Sequence, residues 1–180
     1  EVTAVGPRAV SLASGVQLRA RAVVVATSGL LDEPQHGWNA VSCTYYDAPS
    51  APLPGAWLVL NGEGGTINNL CVLSEVAPSF APAGRALVSV SALGPDEPDP
   101  EALRGELTGW FGAAARRWRH LRTYVVRDAL PAFPVGAALE RAPRLTDGLF
   151  ACGDHREHPS LNGALASGRR AAHAVLATEP

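Results

Sequence analysis

Apolar residues recur along this chain mostly at alternate positions, in short runs broken by glycine and proline, and only two stretches carry helical spacing. Residues 10–12 and 16–18 flank Ala13-Ser14-Gly15 and predict a hairpin. Residues 22–26 are continuously apolar, as expected of a strand buried on both faces. Strands are also expected over 39–46, 86–93 and 118–126, with a second hairpin, 57–60 and 69–73, around the glycines at 62–65. One helix is expected to open at Pro100, beside Glu101, and to end near Gly112. It carries Leu103, Leu107, Trp110 and Phe111 on one side. The other is expected to open at Asn162-Gly163, with Ala164, Leu165, Gly168, Ala171, Ala172, Val175 and Leu176 on its buried side. The segments 30–37 and 131–143 read as irregular crossings between two parts of the chain.

With 180 residues, 47% of them hydrophobic, the chain can form one substantial core or two small ones. A formal net charge of −2 gives no general attraction for nucleic acid or an anionic membrane. The run Arg116-Arg117-Trp118-Arg119-His120-Leu121-Arg122 lacks a wider basic context, so a solvated edge is expected, with Trp118 and Leu121 packed inward. Cys43, Cys71 and Cys152 form no Cys-x-x-Cys pair and fit small core residues of a reducing cytoplasm. No apolar run approaches the ~20 residues of a membrane span. His155 and His158 have no convincing partner set, so no metal site is expected.

Chemistry concentrates at 148–176, GLFACGDHREHPSLNGALASGRRAAHAVL. This reads as a strand, a Gly-Asp turn at Gly153-Asp154, a polar loop and a helix. A helix start carries unpaired N–H groups and partial positive charge, which suit anionic or carbonyl-rich ligands. Gly163 leaves room for close backbone approach, and Asp154 can accept hydrogen bonds from sugar-like hydroxyls. An ordinary strand-loop-helix corner would use the same residue types.

Gly153-Asp154 followed by Ser160-Leu161-Asn162-Gly163-Ala164-Leu165-Ala166-Ser167-Gly168 resembles the C-terminal flavin motif of the FAD-dependent amine oxidase and phytoene desaturase superfamily. Residues 1–27, ending in Val-Val-Val-Ala-Thr, resemble that family's strand meander and the buried strand after it. The resemblance implies an α/β fold: part of a Rossmann-like FAD-binding domain (1–29 and 145–180) and a mainly antiparallel sheet-and-helix substrate domain (30–144). It places FAD against Gly153, Asp154, Ser160, Asn162, Gly163, Ala164, Ala26 and Thr27, the amides of Asn162, Gly163 and Ala164 facing the flavin. Tyr124, Asp128, Phe133 and His155 become candidates for lining a substrate pocket.

Two departures narrow the reaction. The chain has no lysine to serve near the flavin, and Ser160 stands where many amine oxidases carry an aromatic residue that helps to cage an amine. Both favour desaturase- or dehydrogenase-like oxidation of a small apolar organic molecule. The Gly-x-Gly-x-x-Gly fingerprint is missing: the cluster at 62–67 has Ile67 where the third glycine belongs, and no βαβ unit surrounds it. The expectation is therefore the C-terminal portion of a flavoenzyme that lacks its N-terminal Rossmann half, binds FAD weakly or not at all alone, and tends to self-associate. A non-catalytic binding or structural domain and one chain of a split flavoenzyme remain open alternatives.

Overall fold

Residues 1–27, 29–31 and 36–178 are described by a computed structural model, which shows a mixed α/β fold with three mainly antiparallel sheets. The chain divides into two compact units, Glu1–Trp38 with Leu130–Pro180, and Asn39–Ala129. Much of the first expected crossing, 30–37, lies outside the described residues.

The first unit begins with an antiparallel meander of β1 (Val2–Gly6), β2 (Ala9–Leu12) and β3 (Gln17–Arg19). The turn between β2 and β3 uses Gly15 at φ +83°, a backbone region that glycine enters without steric cost. A second small sheet places β11 (Leu149–Ala151) between β10 (Arg144–Thr146) and β4 (Val23–Val25). β11 and β4 are parallel, Leu149 opposite Val23 and Ala151 opposite Val25. Val23, Val25 and Leu149 form the centre of this unit's core, with Val5, Val10 and Leu145 packed against it. The reading of 22–26 as buried on both faces is corrected: Val24 is 44% exposed, because the described residues cover only one face of β4. Helix α3 (Leu161–Leu176) buries the small residues Gly163, Ser167 and Ala171. Its leucines Leu161, Leu165 and Leu176 are exposed instead, at 86%, 72% and 65%.

The second unit is a five-stranded sheet in the order β6 (Leu58–Leu60), β7 (Ile67–Val72), β8 (Ala86–Leu93), β5 (Trp38–Ala48) and β9 (Arg119–Pro131). Alternation decides its faces: Tyr46 and Ala48 of β5, with Val88 and Val90 of β8, point inward, while Tyr45, Asp47, Leu87 and Ser89 point outward. A single turn of helix, α1 (Leu73–Val76), follows β7. The longer α2 (Pro100–Phe111) closes the core with Leu103 and Leu107, and Trp118 joins them at 2% exposure. Asp99 caps α2 by accepting the Glu101 N–H at 3.0 Å. The Tyr46 hydroxyl donates to the Pro100 carbonyl at 2.7 Å, and burial pushes this phenol well above its ordinary range. Glu106 reaches from α2 to the β6–β7 turn and accepts the amides of Thr66 (3.0 and 3.1 Å) and Ile67 (3.3 Å). Burial opposes its charge, but these donors prevail and hold its pKa below the usual value.

Leu121 is corrected from inward to outward, 44% exposed, because the strand beyond Trp118 turns that side chain off the core. His120 is half-buried and pairs with Thr123 Oγ1 at 3.0 Å, a structural role. No helix of the described residues is long and apolar enough to cross a membrane.

Candidate functional site

Because β4 and β11 are parallel neighbours, their carboxyl ends open on the same edge of the small sheet. The Cys152 N–H donates to the Val25 carbonyl at 2.9 Å and carries the pairing one step past the strands. Ala26 and Thr27 therefore leave β4 beside the point where Gly153 and Asp154 leave β11. These four residues, far apart in sequence, share one edge, and carboxyl edges of parallel strands are where open α/β sheets hold ligands.

The turn itself is fixed from three sides. Gly153 takes φ +146°, and a Cβ there would run into the His155 ring. Its N–H donates to Ser167 Oγ at 3.2 Å, fastening the turn to α3. Asp154–Arg156 then form a single 3-10 turn, closed by the Arg156 N–H on the Gly153 carbonyl at 3.1 Å. Sequence reasoning missed Arg156, and it gave Ser167, a residue of the quoted motif, no role of its own. Arg156 is buried, its Nη2 donating to the Ala142 carbonyl at 2.7 Å, while its own carbonyl accepts the Arg141 N–H at 3.1 Å. An arginine inside a Gly-Asp loop reads in sequence as a wet side chain, and the bond to the Ala142 carbonyl is one contact that draws it inward. Asp154 is half-buried, and among the described residues nothing donates to its carboxylate.

The helix start differs from expectation. Ser160 is the N-cap of α3, so the helix begins at Leu161 rather than at Asn162-Gly163. Ser160 Oγ accepts the Gly163 N–H at 3.0 Å and also pairs with His158 Nδ1 at 2.8 Å. The Ala164 N–H donates to the Ser160 carbonyl at 2.9 Å. The amides of Gly163 and Ala164, expected to face a ligand, are thus consumed in the cap. Helical geometry leaves the earlier amides, those of Leu161 and Asn162, without an intrahelical acceptor. Gly163 is buried, and a Cβ at that position would collide with the His158 carbonyl. Its missing side chain lets the loop cross the helix, rather than admitting a ligand.

Of the substrate-pocket candidates, Phe133 and His155 line one small cleft of the first unit, with His36 and Arg141. Tyr124 and Asp128 lie on β9 in the second unit. Tyr124 meets Tyr45 edge-on at 6.0 Å and carries the Arg122 guanidinium 5.0 Å above its ring. Among the described residues, no three His, Cys, Asp or Glu side chains gather as metal ligands.

This donor set fits one end of a flavin cofactor. Asp154 offers sugar-type hydroxyls a carboxylate that has no donor among the described residues, and the start of α3 offers N–H groups and a positive dipole end to a carbonyl-bearing ring edge.

A family model described as flavin containing amine oxidoreductase matches residues 2–176. An oxidoreductase from Methanosarcina mazei has a similar structure, with TM-score 0.68 and 15% identity, over 96% of this chain and 48% of that one. A protein from Pyrococcus furiosus is similar with TM-score 0.65 and 14% identity, over 100% of this chain and 47% of that one. The chain spans about half the length of these two structures, and at such identity the likeness establishes the fold alone. No curated protein matches it.

Proposed function

The chain belongs to the flavin-containing amine oxidoreductase family, and on that footing we propose that it supplies the Gly-Asp half of an FAD site and the substrate domain of an oxidoreductase acting on a small apolar organic molecule. The observation that supports this reading best is the shared edge at the carboxyl ends of β4 and β11, where Ala26, Thr27, Gly153 and Asp154 meet. Flavin, when bound, supplies the two-electron acceptor. Asp154 would accept hydrogen bonds from cofactor hydroxyls, held in place by Gly153, Ser167 and Arg156. The amides of Leu161 and Asn162 would bring partial positive charge to the ring edge that becomes electron-rich on reduction. Ser160 serves this site by fixing the helix start.

The substrate class rests on what the residues offer. Ser160 gives no aromatic face, its hydroxyl is committed to the cap, and the chain carries no lysine. A small cationic amine finds neither a cage nor the usual lysine chemistry, which favours an apolar substrate.

The two structures of similar fold are about twice as long, so the pyrophosphate contacts of FAD are assigned to a second, Rossmann half. Titration of the chain with FAD, alone and together with that half, tests the reading. Weak or undetectable binding alone and tight binding together is the expected result. A chain that purifies yellow by itself, with near-stoichiometric FAD, contradicts the half-site. For the substrate class, anaerobic bleaching of the assembled flavoprotein by small amines but not by apolar compounds would overturn the assignment.

A further inference from the structure

We infer that the opposite edge of the same small sheet, at the amino ends of β4 and β11, holds a second site that binds a small phosphate-bearing anion. It is a cavity of about 650 Å³ lined by Arg8, Arg19, Arg21, Asp147, Gly148 and Thr178, among others. That volume is within the ~300–1,000 Å³ typical of small-molecule pockets. It lies away from the Gly-Asp turn, which leaves the carboxyl end of β11, so it is separate from the flavin site proposed above.

Arg8 is the best-built element. It occupies the β1–β2 turn at φ +60°, a left-handed conformation that glycine or asparagine adopts far more readily. A strained backbone persists where its surroundings over-determine it, and here they do. The Arg8 N–H donates to the Gly148 carbonyl at 3.3 Å, the same carbonyl that accepts the Val23 N–H at 3.0 Å. Gly148, itself at φ +73°, has no Cβ because one would strike the Arg8 stem. The guanidinium is then aimed by Asp147, Nη2 to Oδ2 at 2.9 Å.

The charge balance around that carboxylate points to an anion. Arg144 takes the other Asp147 oxygen at 3.0 Å, so Asp147 already serves two guanidiniums. Arg19, on β3 opposite Ala9, adds a further cation with no partner among the described residues. The Ala20 N–H donates to the Arg8 carbonyl at 2.9 Å, which holds the end of β3 beside the β1–β2 turn and so brings Arg19 and Arg8 together. Arg21 lines the cavity as well and has an interaction of its own. Several guanidiniums around one carboxylate repel each other, and a bound anion relieves this. At the nearby end of α3 the Thr178 N–H and hydroxyl both donate to the Val175 carbonyl, at 3.1 and 2.7 Å, so that carbonyl is already engaged, and the partial negative charge of the helix end is set against the full charges of Arg8 and Arg19. Forked guanidiniums from adjacent turns and strands match a phosphate, which offers acceptor oxygens in several directions, better than a single planar carboxylate.

Calorimetric titration with inorganic pyrophosphate at low salt, with citrate as the carboxylate comparison, tests this. Saturable binding to pyrophosphate is expected, at least fivefold tighter than to citrate and weaker as salt is raised. Arg8→Gln and Arg19→Gln are each expected to weaken it at least fivefold, whereas Arg116→Gln, in the other unit, leaves it unchanged. Arg19 is exposed and has no partner among the described residues, so its variant should melt like the parent, which keeps the test independent of folding. Absence of saturable binding, equal losses from Arg19→Gln and Arg116→Gln, or citrate binding as tight as pyrophosphate would each overturn the inference.

Discussion

The two units solve the problem of a core in different ways. In Asn39–Ala129 the sheet turns Tyr46, Leu70, Val88 and Val90 onto α2 and Trp118, and nearly every large inward side chain is fully buried. In the other unit the core centres on Val23, Val25 and Leu149, while Val24 and three leucines of α3 face outward. One unit closes on itself. The other is a small mixed sheet with a helix, and among the described residues only one face of β4 is covered, the form expected where a further layer completes it. The lesson is that the candidate cofactor edge sits on the less self-sufficient unit, consistent with a site made whole by another segment.

The largest effect should come from the closed core. Trp118→Ala removes a fully buried ring that packs against Phe111 and Tyr46, at centroid distances of 5.6 and 6.3 Å. It should cost ~3–5 kcal/mol, against ~1.5 kcal/mol for the two methyls lost in Val25→Ala. Denaturant melts of both variants check this, and equal losses would erase the distinction between the units.

Acid sharpens the comparison next. Glu106 and Asp47 both have carboxyl pKa values held below the ordinary range in the folded state, Glu106 by the Thr66 and Ile67 amides against burial, Asp47 foremost by its hydrogen bond from Arg85 and also by Arg119. A depressed folded pKa gives stability that is fully present above the unfolded value and lost as pH falls through the folded one. Both groups lie in the second unit, so its stability should decline from about pH 5 downward, around and below the unfolded carboxyl values. Glu106→Gln should cost ~1–3 kcal/mol at neutral pH and flatten that decline. Asp47→Asn should do less, because its arginines are solvent-screened. An acid limb unchanged by either substitution would contradict the assignment.

The smallest effect on stability, and the most telling about the open unit, should come from Leu161→Gln combined with Leu165→Gln. Exposed substitutions shift stability within about ±0.5 kcal/mol. If the leucine stripe drives self-association of the chain, sedimentation should show the parent associating with concentration and the double variant remaining monomeric. A parent that stays monomeric removes that consequence of the open face.

Much of the second unit was legible in the sequence. The strand expected over 86–93 is β8 as observed, since strict alternation fixes both its faces, and Pro100 with Glu101 marked the start of α2. The strand at 148–152 and the Gly-Asp turn were also readable. What escaped were relations that only the folded chain creates. Glu106 lies forty residues from Thr66, and no local pattern announces that contact. Arg156 looks solvent-bound until the Ala142 carbonyl is placed beside it. Gly163 reads equally as ligand access or chain crossing, and the His158 carbonyl decides for crossing. The three-residue β10 has too little pattern to register, and its pairing with β11 alone defines it.

The central claim is that the Gly-Asp turn at the shared carboxyl edge holds the cofactor. It is tested most directly by titrating the assembled protein with FAD, comparing the parent with Asp154→Ala and recording the melt of each without FAD. Asp154 lies in a polar turn with no internal donor to its carboxylate among the described residues, so the melts should coincide. Affinity should fall ~10- to 100-fold, the loss of charge-assisted hydrogen bonds worth ~1.5–3 kcal/mol. Unchanged affinity would show that the turn is only a corner between a strand and a helix.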